Sequence, residues 1–388
     1  MHCITNYFII YFFVKNIRNM KITKRRGFIK NITFAIFSMS FLLPFKSIFG
    51  FTKGYPPSWI EILEIAKWCP TVHNLQPQKL RIISETEAHL YYNPKRLLPI
   101  GDPKSIFATV TMGIFIEHLS IAAGYFGYQV NLTEVFEDIS INQSDNTLFA
   151  RLQLSERKIK ETIDSSLITK RRTSRNNYDG MPITTTLFRA MKNESAKFNN
   201  EFFHTSDKEL IELITKINKD ALFDDLDNNL MREELDNLFR YNKKDAVLKK
   251  DGLWSRCMGF SGVLLKSVFQ NHEKWTKGIS KILLKETYMS SFKGTSSIAW
   301  FGGEFKNTND YLNCGRMMAR CWLLITKEGA YIHPYGSLIT NKKANEKINA
   351  EFTQPSLGKE IWMIFRVGYS KTPTRSYRLE TKNYIIKT

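Results

Sequence analysis

The chain has no C-x-x-C pair among its five cysteines, which excludes a zinc ribbon and a thioredoxin-like redox motif. Cys314 and Cys321 stand seven positions apart on a helical pattern, roughly 10 Å at 1.5 Å per residue, too far for a disulfide. Cys69, Cys257, Cys314 and Cys321 are therefore expected as small core residues. No G-x-G-x-x-G is present, so no dedicated dinucleotide domain is encoded. Acid is missing from residues 1–50, which hold eight Lys or Arg, and subtracting these from the net charge of +19 leaves +11 for the rest. That remainder is scattered lysine without an interleaved aromatic stripe, the pattern of a solvated basic surface rather than a nucleic-acid interface. No nucleic-acid partner and no metal site are expected.

What is present begins with Lys24-Arg25-Arg26-Gly27-Phe28-Ile29-Lys30, followed by a mostly apolar run from Ile32 to Leu43. A run of about 12 residues has signal-peptide length, short of the roughly 20 that span a bilayer. The R-R-x-F order resembles the twin-arginine export motif. Met20 lies closer to this pair than Met1, and residues 1–50 are set apart as an upstream segment plus signal. The expected location is periplasmic or exported, with membrane anchoring where the signal stays uncleaved.

Pro56-Pro57-Ser58 opens a helix carrying Trp59, Ile62, Leu63 and Ala66, with Ser58 and Glu61 spaced as a capping box. Short strand-length runs follow at Leu80–Ile83 and Leu90–Tyr92. Between helix and strands lies Cys69-Pro70-Thr71-Val72-His73-Asn74-Leu75-Gln76-Pro77, a loop closed by proline at both ends. The primary amides of Asn74 and Gln76 each carry donors and acceptors on one planar head, which suits the edge of a heterocycle alternating C=O and N–H. A polar loop whose amides meet only water is the alternative. Residues 66–78, A-K-W-C-P-T-V-H-N-L-Q-P-Q, resemble the A-x-x-A-P-S-x-x-N-x-Q-P-W motif of the FMN-dependent nitroreductase family, with Thr71 in place of Ser and Gln78 in place of Trp.

A second stretch, Lys170-Arg171-Arg172-Thr173-Ser174-Arg175-Asn176-Asn177-Tyr178, follows a helical pattern at Ile159, Ile163 and Leu167 and precedes Pro182. Three guanidiniums and two hydroxyls in five residues form a multidentate receptor for a dianionic phosphate. The order resembles the R-R-S-x-R motif with which that family holds the FMN phosphate. The chain also repeats itself. A helix from about Ser105 to Phe126 carries Gly113, with Gly127 just beyond it, and Gly315 and Gly329 recur at a constant offset of 202. Strand-like runs at Leu148–Leu154 and Ile361–Tyr369 follow the two long helices.

The resemblance extends to the fused, Acg-like branch of the family, whose closing F-R-V-G-Y is matched by Phe365–Tyr369 with Arg375 and Arg378 beyond. It implies an α+β, nitroreductase-like fold of two related halves packed as an intramolecular pseudo-dimer. The halves are expected at residues 51–155 and 156–388, with a helical insertion at about 207–295 in the second. The first half has the loop without the arginines and the second the arginines without the loop, so a monomer would build one FMN site. The implied contacts are Arg171, Arg172, Thr173 and Arg175 on the phosphate, Pro70, Thr71, Asn74 and Gln76 at the ring, and Gly336 and Arg378 by family position, with no catalytic acid, base or nucleophile. The implied function is an FMN oxidoreductase reducing nitroaromatic, quinone or related small-molecule acceptors, fed by a membrane-linked donor. A flavin-sequestering protein with little turnover is the alternative.

Overall fold

The computed structural model describes residues 56–387, so the Arg25–Arg26 pair, the apolar run and Met20 lie outside the described residues. Helix α1 (Trp59–Ala66) begins where the capping box places it: the Ser58 hydroxyl accepts from the Glu61 amide at 3.3 Å, and the Glu61 carboxylate accepts from the Ser58 amide at 2.9 Å. Its Trp59, Ile62, Leu63 and Ala66 are buried, as the spacing predicts. Strands β1 (Gln78–Ile82) and β2 (Glu87–Tyr92) form an antiparallel hairpin. Helix α2 (Ile106–Gly124) leads to β3 (Tyr128–Val135) and β4 (Thr147–Glu156), and the sheet order is β1-β2-β4-β3.

The pattern then recurs. Helix α3 (Thr185–Ala196) precedes β5 (Glu201–Thr205), and after an interruption come β8 (Ser297–Gly303), α4 (Thr308–Lys327), β9 (Tyr331–Pro334) and β10 (Glu360–Gly368). The second antiparallel sheet has the order β5-β8-β10-β9, which is the order of the first when strands are matched in sequence. The fold is α+β. The interruption between β5 and β8 holds helices from Lys208–Asp227 to Gly278–Ser290 and a short parallel pair, β6 (Phe239–Arg240) with β7 (Leu253–Trp254). It has its own core of Leu226, Phe239, Leu253, Val268 and Phe269.

Helices α2 and α4 cross at Gly113 and Gly315, whereas the other repeated pair, Gly127 and Gly329, lies beyond the helix ends at positive φ of 87° and 73°. A Cβ on Gly113 would sit 2.2 Å from the Leu312 carbonyl oxygen, and one on Gly315 would sit 2.1 Å from that of Val110. Any side chain would force the helices apart. Among the described residues α2 is long and apolar enough to cross a membrane, yet 89% of that window is buried, which makes it a core helix. Its one carboxylate, Glu117, is buried and pairs with Arg316 and Arg320 of α4 at 3.0 and 2.9 Å. Arg320 also reaches Glu161 and Glu194, and Arg157 closes the group on Glu161.

One expectation is corrected. Ile159, Ile163 and Leu167 do not share a helix: only Ser166–Lys170 is helical, and Ile159 is 81% exposed. The Glu161 carboxylate accepts from the amides of Thr162 and Ile163, a local bond that competes with the helical ladder.

Candidate functional site

The loop after α1 is the most strained piece of backbone in the described chain. His73, Asn74 and Gln76 adopt positive φ of 46°, 59° and 56° around a turn at Val72–Asn74. Such geometry persists only where surroundings over-determine it, and the surroundings are visible. Gln76 is fully buried and its amide is saturated: Nε2 donates to the carbonyls of Asn74 and Lys250, both at 3.0 Å, while Oε1 accepts from the Leu379 amide at 2.9 Å and the Tyr384 hydroxyl at 2.5 Å. Asn74 donates through Nδ2 to the carbonyls of Gly252 (3.3 Å) and Tyr377 (3.2 Å), and its Oδ1 accepts from Arg378 at 2.7 Å. The Gly252 amide in turn donates to the Asn74 carbonyl at 3.2 Å.

The insertion and the C-terminal segment therefore hold the amides expected to face a ring. Residues 250–252 are themselves fixed, because Asp251 pairs with Arg96 at 3.0 Å and with Arg240 at 2.7 Å. Of the loop's polar side chains, the Thr71 hydroxyl accepts from the backbone N–H of Gln76 at 3.0 Å and keeps its own proton to donate. Burial, and then the nearby Arg175 charge, push His73 down to about 4, so its imidazole is neutral at pH 7.

Opposite this wall stands the arginine segment. It leaves the helix Ser166–Lys170 in extended form and adds to the edge of β9, through a bridge between Thr173 and Ile332 and a bond from the Ser174 amide to the Ile332 carbonyl at 3.0 Å. The cavity between the walls is lined by Pro70, Thr71 and Asn74 together with Arg171, Arg172, Thr173, Arg175, Arg375 and Arg378, and no Asp or Glu lines it. Arg171 is buried, lies over the Trp322 ring at 4.4 Å and donates weakly to the Trp68 carbonyl at 3.4 Å. Arg172 donates to the Pro373 carbonyl at 2.6 Å, and Arg175 to that of Cys257 at 3.5 Å. Arg375 stacks on Trp68 at 3.5 Å. The Nε atoms of Arg171, Arg375 and Arg378 are buried without a hydrogen-bond partner. Burial and the neighbouring Arg378 push Arg171 down to about 9, and burial with Arg172 pushes Arg375 down to about 10. Both stay charged at pH 7, and an anion would relieve them.

Eight of the ten expected contacts thus meet at one cavity, in different roles. Gln76 and Gly336 do not line it. Gln76 is a saturated tie between loop, insertion and C-terminal segment. Gly336 sits beyond β9 at the start of the short helix Ser337–Thr340, where its carbonyl accepts from the Ile339 amide at 2.9 Å. Arg378 lines the cavity but mainly holds the loop, donating to Asn74, Ser376, Tyr377 and Cys69. Asn74 is occupied by the chain's own backbone. Cys257 also departs from expectation, because it lines the cavity rather than the core, and burial pushes its thiol up to about 11. Gln78, in the Trp position of the resembled motif, is fully buried and donates to the Cys69 sulfur at 3.3 Å. Trp68, His73 and Arg375 also line the cavity, as do Gly252, Leu253, Trp254 and Met258 of the insertion and Thr374 and Ser376, and the sequence named none of them as contacts. The one signal for Arg375 is its place beside Arg378, after the closing strand.

The donor set fits a dianionic phosphate: three guanidiniums and the Thr173 hydroxyl line the cavity together, each guanidinium spending one terminal nitrogen on a backbone carbonyl and the Arg171 Nε having no partner. The ring fits less well. The cavity measures about 130 Å³, below the roughly 300–1,000 Å³ of pockets for drug-sized ligands, and the insertion's Lys250 and Gly252 hold the loop's amides.

No protein-family model and no curated protein matches this chain. Solved structures resemble it in part. A nitroreductase with bound FMN from Desulfitobacterium hafniense DCB-2 is 11% identical with a TM-score of 0.35, over 57% of this chain and 96% of that one. The FMN-dependent nitroreductase NfnB from Mycobacterium smegmatis, in complex with NADPH, is 14% identical with a TM-score of 0.34, over 56% and 94%. Iodotyrosine deiodinase bound to FMN and 3-iodo-L-tyrosine is 12% identical with a TM-score of 0.32, over 55% and 94%.

Proposed function

We propose that this chain is an FMN-binding oxidoreductase of the nitroreductase type, built from two fused halves, with one flavin site per chain. The observation that carries the reading is the cavity where five arginines and no carboxylate face the Pro70–Pro77 loop. Arg171, Arg172, Thr173 and Arg175 hold the phosphate, and the Thr71 hydroxyl and neutral His73 lie on the ring side. When bound, the flavin supplies the hydride or electron chemistry, while the chain supplies binding, orientation and a positive field. The shared strand order of the two sheets and the glycine crossing of α2 and α4 support the fused-half organisation. The acceptors proposed are nitroaromatics, quinones or related small molecules.

A second reading, a flavin holder with little turnover, is favoured by the insertion, which takes the loop's amides and narrows the cavity. Flavin quantitation and anaerobic redox cycling separate the two. Heat release should yield one FMN per chain. Bleaching by dithionite followed by rapid reoxidation with a nitroaromatic or quinone supports the oxidoreductase, and slow or absent reoxidation supports the holder. Protein that binds no FMN defeats both.

We also propose export through the twin-arginine route and a membrane-linked donor in place of NAD(P)H. The Arg25→Lys, Arg26→Lys double variant should stay in the cytoplasm, because lysine lacks the guanidinium fork. Unchanged export would remove that route, and fast flavin bleaching by micromolar NADPH would remove the donor proposal.

A further inference from the structure

The arginines are more numerous than one phosphate needs. A phosphate monoester carries about two negative charges and three strong acceptor oxygens, and Arg171, Arg172 and Arg175 already meet that demand on one segment. Arg375 comes from a different part of the chain, the C-terminal segment beyond β10, and it lines the same cavity. It makes no ion pair among the described residues. Its guanidinium is held in place by the Trp68 ring at 3.5 Å, its buried Nε has no hydrogen-bond partner among the described residues, and its two terminal nitrogens are left to meet a ligand. This sets it apart from Arg378, which also lies over Trp68, at 5.7 Å, but binds the loop with both terminal nitrogens. Arg172 and Arg378 are the cations closest in effect to Arg375, and no lining carboxylate offsets any of them.

We propose that the cavity contains a second oxyanion subsite, built on Arg375 stacked against Trp68, beside the subsite that holds the flavin phosphate. This rests on the FMN reading and extends it to a ligand set with two anionic groups of phosphate type. The second anion belongs either to the same molecule, as in a flavin carrying a diphosphate, or to a separate phosphate-bearing or free oxyanion bound next to FMN. Arg375 presents a planar, pre-positioned fork to it, the geometry suited to bidentate capture of an oxyanion.

The experiment is calorimetric titration of inorganic phosphate into FMN-loaded protein in a chloride buffer of constant ionic strength, with flavin absorbance followed for displacement. Saturable binding of one phosphate per chain is expected, without flavin release. Arg375→Gln should weaken that phosphate at least tenfold while weakening FMN by a clearly smaller factor than Arg171→Gln does. Arg375→Lys, which keeps the charge on a flexible stem, should weaken it by a smaller factor, and circular dichroism checks that both variants fold. The absence of saturable phosphate binding, phosphate binding that expels FMN, or an Arg375→Gln variant that loses FMN as severely as Arg171→Gln would each overturn the subsite. If the protein binds no FMN, the functional reading fails separately, and phosphate titration of the ligand-free chain still decides: two phosphates per chain support the second subsite, and one overturns it. FAD tests the source of the anion. Tenfold tighter binding of FAD than FMN, lost in Arg375→Gln, places both anions in one molecule, whereas equal affinity assigns the second to a separate ligand.

Discussion

Two arginine clusters sit in this protein under opposite conditions. In the first, Arg157, Arg316 and Arg320 meet Glu117, Glu161 and Glu194 where α2, α3 and α4 come together, and every guanidinium has a carboxylate within 3.0 Å or so. In the second, five arginines line a cavity without a single carboxylate. The charge environment follows suit. Burial works against the Arg320 charge, yet the carboxylates of Glu161, Glu117 and Glu194 outweigh it and raise its proton affinity. Burial lowers Arg171 to about 9 with Arg378 adding to the effect, and no carboxylate lines the cavity to offset it. A neutralised cluster is complete within the fold, whereas an unneutralised one is complete only with an anion.

The sharpest way to break this contrast is at the neutralised cluster. Arg320→Met should cost about 3–5 kcal/mol of stability by leaving three partly buried carboxylates without their shared partner. Urea unfolding measures it, and FMN affinity in the folded fraction should not move. A loss under about 1 kcal/mol would mean that the cluster behaves as surface charge.

At the cavity the same kind of change should act on binding instead. Arg171→Ala or Arg175→Ala should weaken FMN by roughly 1.5–3 kcal/mol, about ten- to a hundredfold, with unfolding stability of the ligand-free chain unchanged or raised. Riboflavin, which lacks the phosphate, should be insensitive to both variants in fluorescence titration. Unchanged FMN affinity would return these arginines to the class of solvated basic surface.

The smallest effect expected is at the loop. Gln76→Ala removes an amide that satisfies four groups, so about 1–3 kcal/mol of stability should be lost in thermal or urea unfolding. Its effect on FMN should be indirect and under threefold, because the side chain does not line the cavity. A FMN loss as large as that of Arg171→Ala would show that Gln76 contacts the flavin after rearrangement of residues 250–252.

Much of the fold was legible because its signals are local. The Ser58–Glu61 box starts α1, the paired runs make β1 and β2, and Gly113 and Gly315, the first of the two glycine pairs repeated at 202 residues, are the points where α2 and α4 touch. The Ile159–Leu167 periodicity misled because a carboxylate bonding its own neighbours leaves no trace in hydrophobic spacing. At the candidate site the arginine segment was legible as a run of like charge with hydroxyls. The roles of Asn74, Gln76 and Arg378 were not, since an amide or a guanidinium looks identical in sequence whether it faces a ligand or its own chain.

By itself the sequence determined the α+β class, the recurrence of a glycine-marked long helix followed by strands, and the loop and arginine segments that could build a site. Only the tertiary structure decided which donors are open. Lys250 and Gly252 close the loop from 174 and 178 residues away along the chain, and Arg375 reaches the cavity from beyond the last strand. The physical reason is that a polar group's chemistry is fixed by its type, but its availability depends on whether some distant part of the chain has already supplied its hydrogen-bond partner.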